Sequence, residues 1–353
     1  MNRNRPKLVE LAKELGVNVG TISRALNDKP GVSDKLRARI KAKAHKVSYR
    51  PNMFARSLQT NRSFQIGVVA HVRLHAFFDN SFWGRILSGI EEEACKSEYE
   101  LLFSGGHQIE TGIDPSHIPR FIDQHQVDGV ILVNAVSAQL KSVITDHKIP
   151  CVQVDFSEYD EFDAVIIEQK ASMAKLVSSI LELGHRELLF LGAPERHQNV
   201  KARRDGFYET VKQANGTPHE LHYTESSDTS ESSILQDALL KKLRAQPNIT
   251  AICCENDSLA LRAKTALHHH GFSIPEQMSI SGFDNLSFSE LIYPSLTTVH
   301  VSKRLVGQTA ARRLIEQIES NDDEEWTPLV VTYPARPIMR QSTSSPRKGK
   351  LKL

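Results

Sequence analysis

Residues 17–32, Val-Asn-Val-Gly-Thr-Ile-Ser-Arg-Ala-Leu-Asn-Asp-Lys-Pro-Gly-Val, leave the N-terminal part of this chain few ways to fold. Before them, Leu8, Leu11, Ala12 and Leu15 recur at i, i+3, i+4 and i+7, and Gly16 breaks that amphipathic helix. Asn18 is placed to start a second helix, and Pro30-Gly31 stops it. The second helix turns Ile22 and Leu26 inward and shows Thr21, Ser23 and Arg24 outward. Two short helices joined at a glycine, the second with a polar outer face, form the helix-turn-helix geometry that reads a DNA major groove. A third helix from Ser33 to Lys46 brings Leu36, Ile40 and Val47 against the first two.

Charge follows the same division. Residues 1–62 hold fifteen Lys and Arg against four acids, a net of +11; the whole chain is +2, so the rest carries −9. A basic head on an acidic body fits a polyanionic partner, because each phosphate neutralised releases condensed counterions. No apolar run reaches the length of a bilayer span, and no apolar segment follows the basic N-terminus, so neither a membrane segment nor a secretory signal is expected. Cys95, Cys151, Cys253 and Cys254 lack metal-ligand spacing and read as buried small hydrophobes of a reducing compartment.

Past Tyr49-Arg50-Pro51-Asn52 a short helix is expected over 52–59, marginal on its own and therefore a hinge. From Phe64 the pattern changes to apolar runs such as Ile66–Ala70, Val130–Asn134, Leu188–Gly192 and Ser279–Phe283, separated by amphipathic stretches. Strands alternating with helices mean parallel sheets covered on both faces, and the series is long enough for two doubly wound lobes with a cleft between them. Helix Ser302–Glu319 and strand Thr327–Tyr333 are expected to cross back and finish each lobe. The expected divisions are 1–48 for the helix-turn-helix, 49–62 for the hinge helix and 63–340 for the body. Within the body the first lobe is 63–162 and 295–325, and the second is 163–294 and 326–340. Residues 341–353 read as a disordered basic tail.

These residues together resemble the lactose/galactose repressor family of bacterial transcription factors. In the head the resemblance rests on Leu11-Ala12, Gly16-Val17, Thr21-Ile22-Ser23-Arg24, Leu26-Asn27 and Tyr49-Arg50-Pro51-Asn52, followed by Ala55-Arg56-Ser57-Leu58. In the body it rests on Val127-Asp128-Gly129-Val130-Ile131, Leu183-Gly184-His185-Arg186, Arg203 with Gly206-Phe207, Glu255-Asn256-Asp257, Gly282-Phe283-Asp284 and Pro294-Ser295-Leu296-Thr297-Thr298. It implies an all-α helix-turn-helix domain and hinge helix, then a two-lobed α/β body of the type I periplasmic-binding-protein kind. It also implies a ligand-responsive, non-enzymatic repressor of the bacterial cytoplasm and nucleoid. Its partners would be pseudo-palindromic double-stranded operator DNA, a small sugar or sugar acid, and a second copy of the chain (tetramers also occur in the family). No cofactor, metal or membrane is expected.

By that resemblance the DNA-binding residues are Val19, Gly20, Thr21, Ser23, Arg24, Asn27, Tyr49, Asn52, Arg56 and Leu58. Val19 offers only apolar contact and Gly20 none, so Arg24 is the candidate for a bidentate contact to guanine. Thr21, Ser23 and Asn27 suit phosphates. Gly20 is either tolerated or required for close backbone approach. Leu58 is either a minor-groove wedge or a residue packed on the body. In the cleft the resemblance points to Phe82, Trp83, His197, Arg203, Asn256 and Asp284, with Asn199 weaker and Arg196 an alternative to His197. Glu168-Gln169 stands where many members carry Asp-Asn, so either the pocket edge is reshaped or these side chains do not touch the ligand. His268-His269-His270 lacks the i, i+4 spacing of a metal-binding helix face. No Walker loop, Gly-x-Ser-x-Gly elbow or Gly-x-Gly-x-x-Gly is present. The competing readings are a purine- or nucleoside-responsive repressor, a sugar-binding protein and an enzyme. The sequence leaves open whether the ligand induces or corepresses.

Overall fold

A computed structural model describes residues 8–26, 28–47, 49, 60, 62–70, 81–105, 108–109, 112–113, 116–133, 137–155, 161–194, 198–223, 232–320 and 326–351. The chain divides into two compact units, Met1–Phe64 and Gln65–Leu353. In the first, α1 (Leu8–Leu15), α2 (Val19–Leu26) and α3 (Asp34–Lys46) enclose a core of Ala12, Ile22, Ala25 and Ile40, with Leu8, Leu15, Leu26 and Leu36 packed on it. Gly16 ends α1 at φ +67°, a conformation side-chain-bearing residues rarely take. Asn18 caps α2 as expected, its Oδ1 accepting the Thr21 N–H at 2.7 Å. The C-terminus of α2 is closed from α3: Arg37 donates to the carbonyls of Lys29 (2.8 Å), Arg24 (3.3 Å) and Ala25 (3.4 Å). Arg37 is thereby used inside the fold.

The second unit starts with β1 (Gln65–Ala70), α4 (Ser81–Lys96), β2 (Glu100–Gly105) and a short hairpin, β3 (Gln108–Ile109) and β4 (Gly112–Ile113). It continues through α5 (Arg120–Asp123), β5 (Gly129–Val133), α6 (Ala138–Asp146), β6 (Cys151–Val154) and β7 (Asp163–Ile167). A second lobe follows with α7 (Lys170–Glu182), β8 (Glu187–Gly192), α8 (Gln198–Gln213), β9 (Thr217–His222), α9 (Ser232–Ala245), β10 (Ala251–Cys254), α10 (Asp257–His269) and β11 (Ser279–Ser281). After α11 (Phe288–Leu291) and β12 (Thr298–His300), the chain forms α12 (Lys303–Glu319), β13 (Val330–Tyr333) and β14 (Arg336–Ile338). The first sheet has six parallel strands in the order β13-β7-β6-β5-β1-β2, and the second has four in the order β11-β10-β8-β9.

This topology corrects the expected lobe boundaries. Strand β7 pairs with β6, so the first lobe runs through Ile167 instead of ending at 162. Strand β13 pairs with β7, so helix α12 and strand β13 both complete the first lobe rather than one each. Residues 297–300 belong with the second lobe: Gly282 and Asp284 N–H groups donate to the carbonyls of Thr297 and Val299, and β12 pairs with β14. An apolar run carries the mark of a parallel strand but not of the neighbour it will pair with.

The tail is also corrected. Instead of disorder from Gln341, residues 341–351 strap the second lobe: the Ile280 N–H donates to the Ser342 carbonyl, and Ser342 Oγ donates to the Ile280 carbonyl. His185 bonds the Ser344 carbonyl at 2.8 Å, Arg347 donates to the carbonyls of Gln277 and Pro247, and Leu351 is buried in the lobe's core. Low hydrophobicity suggested disorder, but this segment is held by backbone and hydroxyl bonds that composition does not display. Of the cysteines, Cys151, Cys253 and Cys254 are buried as expected, while Cys95 is exposed.

Two glycine contacts seat the helices. In α4 and α12, Gly89 and Gly307 face each other so closely that a Cβ on either would overlap the opposing backbone carbonyl, of Arg304 or Ile86. A Cβ on Gly206 would likewise overlap the Lys170 carbonyl, so this glycine brings α8 onto the start of α7.

Candidate functional site

The exposed face of α2 carries the base-reading candidates. Val19 is 38% exposed at the helix start, with exposed Gly20 beside it. Thr21 is committed to the cap, its Oγ1 donating to Asn18 Oδ1 at 2.9 Å, and Ser23 is half-buried. Arg24 is exposed, and its Nε reaches the Gly20 carbonyl at 3.4 Å. A Cβ on Gly20 would stand 3.3 Å from Asn18 Oδ1, so a larger residue would crowd the cap oxygen. Tyr49 is half-buried, with its N–H donating to the Ala44 carbonyl at 2.8 Å. Asn27, Asn52, Arg56 and Leu58 lie outside the described residues, as does the expected hinge helix. Part of the basic charge is neutralised internally: Lys41 and Arg37 pair with Asp28, and Lys43 with Glu14.

In the second unit, Arg203 on α8 is the centre of a buried polar cluster. Its Nε donates to Gln169 Oε1 at 2.7 Å, its Nη1 to the Glu255 carbonyl at 2.6 Å, and its Nη2 reaches Asp284 Oδ1 at 3.4 Å. The guanidinium lies 3.9 Å from the centre of the Phe283 ring. Gln169 passes the network on, donating to Asp155 Oδ1 at 3.1 Å, and Asn199 donates to the Asp155 carbonyl at 3.1 Å. Both Asp155 and Asp284 follow strand ends and have positive φ, +59° and +102°. Burial raises the Asp155 carboxyl to about 7; Arg203 opposes the shift and Asp284 adds to it. Burial likewise raises the Asp284 carboxyl, with Arg203 and Lys303 opposing the shift.

Lys303, at the start of α12, donates to the carbonyls of Asp284, Asn285 and Val301, and burial depresses its pKa. Its Nζ sits 5.9 Å from the centre of the Phe82 ring, and Phe82 meets Trp83 edge to face at 4.8 Å. Phe82 is buried and Trp83 half-buried. Beneath the cluster, Asp257 accepts from the Leu286 N–H, Ser289 Oγ and Thr298 Oγ1, which fixes the segment after Asp284.

Of the six cleft residues read from the sequence, Arg203 and Asp284 meet directly. Asn256 stands beside Glu255 but is used locally: its Oδ1 caps α10 at the Leu259 N–H, and its Nδ2 donates to Glu255 Oε1. Phe82 and Trp83 reach the cluster through Lys303, and His197 and Arg196 lie outside the described residues. What results is a guanidinium, two carboxyls and two amides, with the Phe283 ring against the guanidinium. Such a set offers paired donors and acceptors to a polyol or a planar polar ring.

Comparisons with known proteins agree with this division. Residues 7–52 match the family described as bacterial regulatory proteins, lacI family, and residues 177–343 match the periplasmic binding protein-like domain. The head is thus of the lacI family of bacterial regulatory proteins, and the body carries a periplasmic binding protein-like domain. A curated relative, the HTH-type transcriptional repressor PurR of Aliivibrio salmonicida, is 28% identical over 331 residues, 92% of this chain and 96% of its own. The lac repressor dimer bound to operator and the anti-inducer ONPF shares the fold, with a TM-score of 0.81 at 22% identity over 97% of this chain and 100% of that one. A LacI family transcriptional regulator from Enterococcus faecium with bound ribose has a TM-score of 0.67 at 25% identity, over 80% of this chain and 99% of that one.

In this chain, sequence reading passed over Asp155, Lys303 and the structural use of Asn256. Asp155 was findable, because it closes the apolar run Cys151–Asp155 just as Asp284 closes Ser279–Phe283. Gln169, which departs from the family pattern at the pocket edge, is part of the network, bridging Arg203 to Asp155. Lys303 has no comparable signal, since a basic residue opening a helix reads as solvent-facing.

Proposed function

We propose that this chain is a ligand-responsive transcriptional repressor that binds operator DNA through α2 and the hinge segment and senses a small sugar-like molecule at the Arg203–Asp284 cluster. The observation that carries this reading is that one chain joins a lacI-type DNA-binding domain to a buried, fully networked set of polar groups at strand ends. Arg24 is the base-reading side chain, Val19 supplies apolar contact, and Leu58 wedges the minor groove while Asn52 and Arg56 hold backbone. In the body, adjacent ligand hydroxyls donate to Asp284 and accept from Arg203, replacing the long 3.4 Å contact between them. Trp83 offers its ring to the ligand's apolar face.

The ligand leaves unchanged, and the protein works in the bacterial cytoplasm. Two copies act together, with Leu291 (82% exposed) and Tyr293 (87% exposed) as the apolar patch at which they meet. A neutral sugar is the first-choice ligand, then a sugar acid. The PurR relatives favour a second reading, a purine base stacked on Trp83. Selection of binding sites from random duplex DNA tests the DNA arm, and the account expects an inverted repeat, the imprint of a two-fold dimer. Binding without symmetry or sequence preference contradicts it. A thermal-shift screen of sugars, sugar acids and purine bases, repeated with Arg203→Ala and Asp284→Ala, tests the ligand arm. Hits that survive both substitutions contradict the assigned cleft.

A further inference from the structure

A cavity of about 500 Å³ opens behind the Asp284–Asn285 turn, and none of Arg203, Gln169, Asn256 or Asp155 lines it. Among the described residues its wall holds Arg85, His300, Lys303 and Arg304 but no carboxylate. The two lobes share it: Arg85 comes from α4 and Lys303 from α12, whereas Ser287 and His300 come from the second lobe.

Three features show that its positive charge is only partly neutralised. Arg304 is paired, forked onto Glu92. Arg85, by contrast, has no hydrogen bond or ion pair among the described residues. Lys303 donates only to carbonyl oxygens, so no carboxylate touches its ammonium. Next to these cations the 17-residue helix α12 starts with no acid in its first turn and with Ser302 making no side-chain cap. Lys303 and Arg304 thus stand at the positive end of a helix, where the macrodipole disfavours cations. His300 adds a donor of fixed direction. Arg340 donates to Asn285 Oδ1, which turns the amide nitrogen of Asn285 toward His300 Nδ1. That ring nitrogen therefore accepts, and the proton sits on Nε2.

From this cavity of donors and cations we infer a second small-molecule site, adjoining the Arg203 cleft across Lys303 but not lined by Arg203, for a metabolite carrying a phosphate monoester. The dianion meets Arg85, the positive N-terminal end of α12 and the hydroxyls of Ser287 and Ser302. The volume leaves room for an organic body beyond the phosphate. Because both lobes line the site, occupancy biases how the lobes stand to one another, and it changes affinity at the Arg203 cleft by a reciprocal factor.

Titration calorimetry on the full chain tests this with glycerol 3-phosphate, ribose 5-phosphate, their unphosphorylated parents, inorganic phosphate and citrate. The expected result is that the phosphate esters bind, Arg85→Glu weakens them by about tenfold or more, and Arg85→Lys stays within about threefold. In Arg203→Ala they bind as in the unaltered chain. Arg85 is an exposed helix residue, and an unchanged circular dichroism melt shows that Arg85→Glu folds. The inference is overturned if no phosphate ester binds at millimolar concentration or if Arg85→Glu leaves binding intact. It is also overturned if Arg203→Ala removes binding equally, which places the ester in the cleft, or if citrate binds more tightly than either ester.

Discussion

Holding Arg203 at 7% exposure costs its guanidinium hydration that only its full set of partners offsets. Removing it leaves Asp155 and Asp284 buried near each other without the cation between them. Arg203→Ala should therefore lower stability by about 3 kcal/mol in urea unfolding, besides abolishing the ligand response. A loss below about 0.5 kcal/mol, the range of an ordinary surface change, means the cluster is not under strain. Asp155 gives a second handle, because its carboxyl is raised from 3.8 to about 7 in the folded chain. An acid raised on folding stabilises fully below the unfolded pKa, near 4, and loses that contribution as pH climbs through about 7. Asp257, also raised to about 7 by burial and then by Asp284, acts in the same sense. Melting temperature from pH 4 to 7 should thus fall more steeply in the native chain than in Asp155→Asn; parallel curves contradict the shift. Arg203 and Asp284 were legible because they fall in family motifs and, for Asp284, at a strand end. The roles of Asn256 and Lys303 were not, since a side chain's partner across the fold leaves no trace in local sequence.

At the scale of elements, the starts of the head's helices were legible because Gly16, Asn18 and the i, i+3, i+4 spacing are all local signals, whereas α2 ends at Leu26, ahead of the Pro30-Gly31 stop. The body's alternation was equally plain, but the sheet each strand joins was not. Val330-Val331-Thr332-Tyr333 completes the first sheet through contacts with β7, more than 160 residues away in the chain. The tail taught the same point. Its serines, proline and lysines look solvent-loving, yet Ser342 is fully buried and bonded on both sides. Truncation after Arg340 removes those bonds together with Leu351 from the core, so the melting temperature should drop by about 4 °C or more. An unchanged melt shows that the strap contributes nothing to the lobe.

The whole molecule joins a DNA reader to a body whose two lobes exchange chain three times, after β7, between β12 and α12, and between β13 and β14. Such shared strands and helices let a ligand at the lobe junction move both halves, and the proposed function requires that movement to reach DNA. Coupling of this kind is a free energy, so DNA must alter ligand affinity by the factor with which ligand alters DNA affinity. The most direct measurement is fluorescence anisotropy of the selected inverted-repeat duplex with the full chain, with and without the ligand found by thermal shift, in native and Arg203→Ala protein. The account predicts a ligand-induced change of about fivefold or more in DNA affinity, of either sign, that disappears in Arg203→Ala while its ligand-free DNA affinity stays native. DNA affinity indifferent to a ligand that demonstrably binds the body would contradict it.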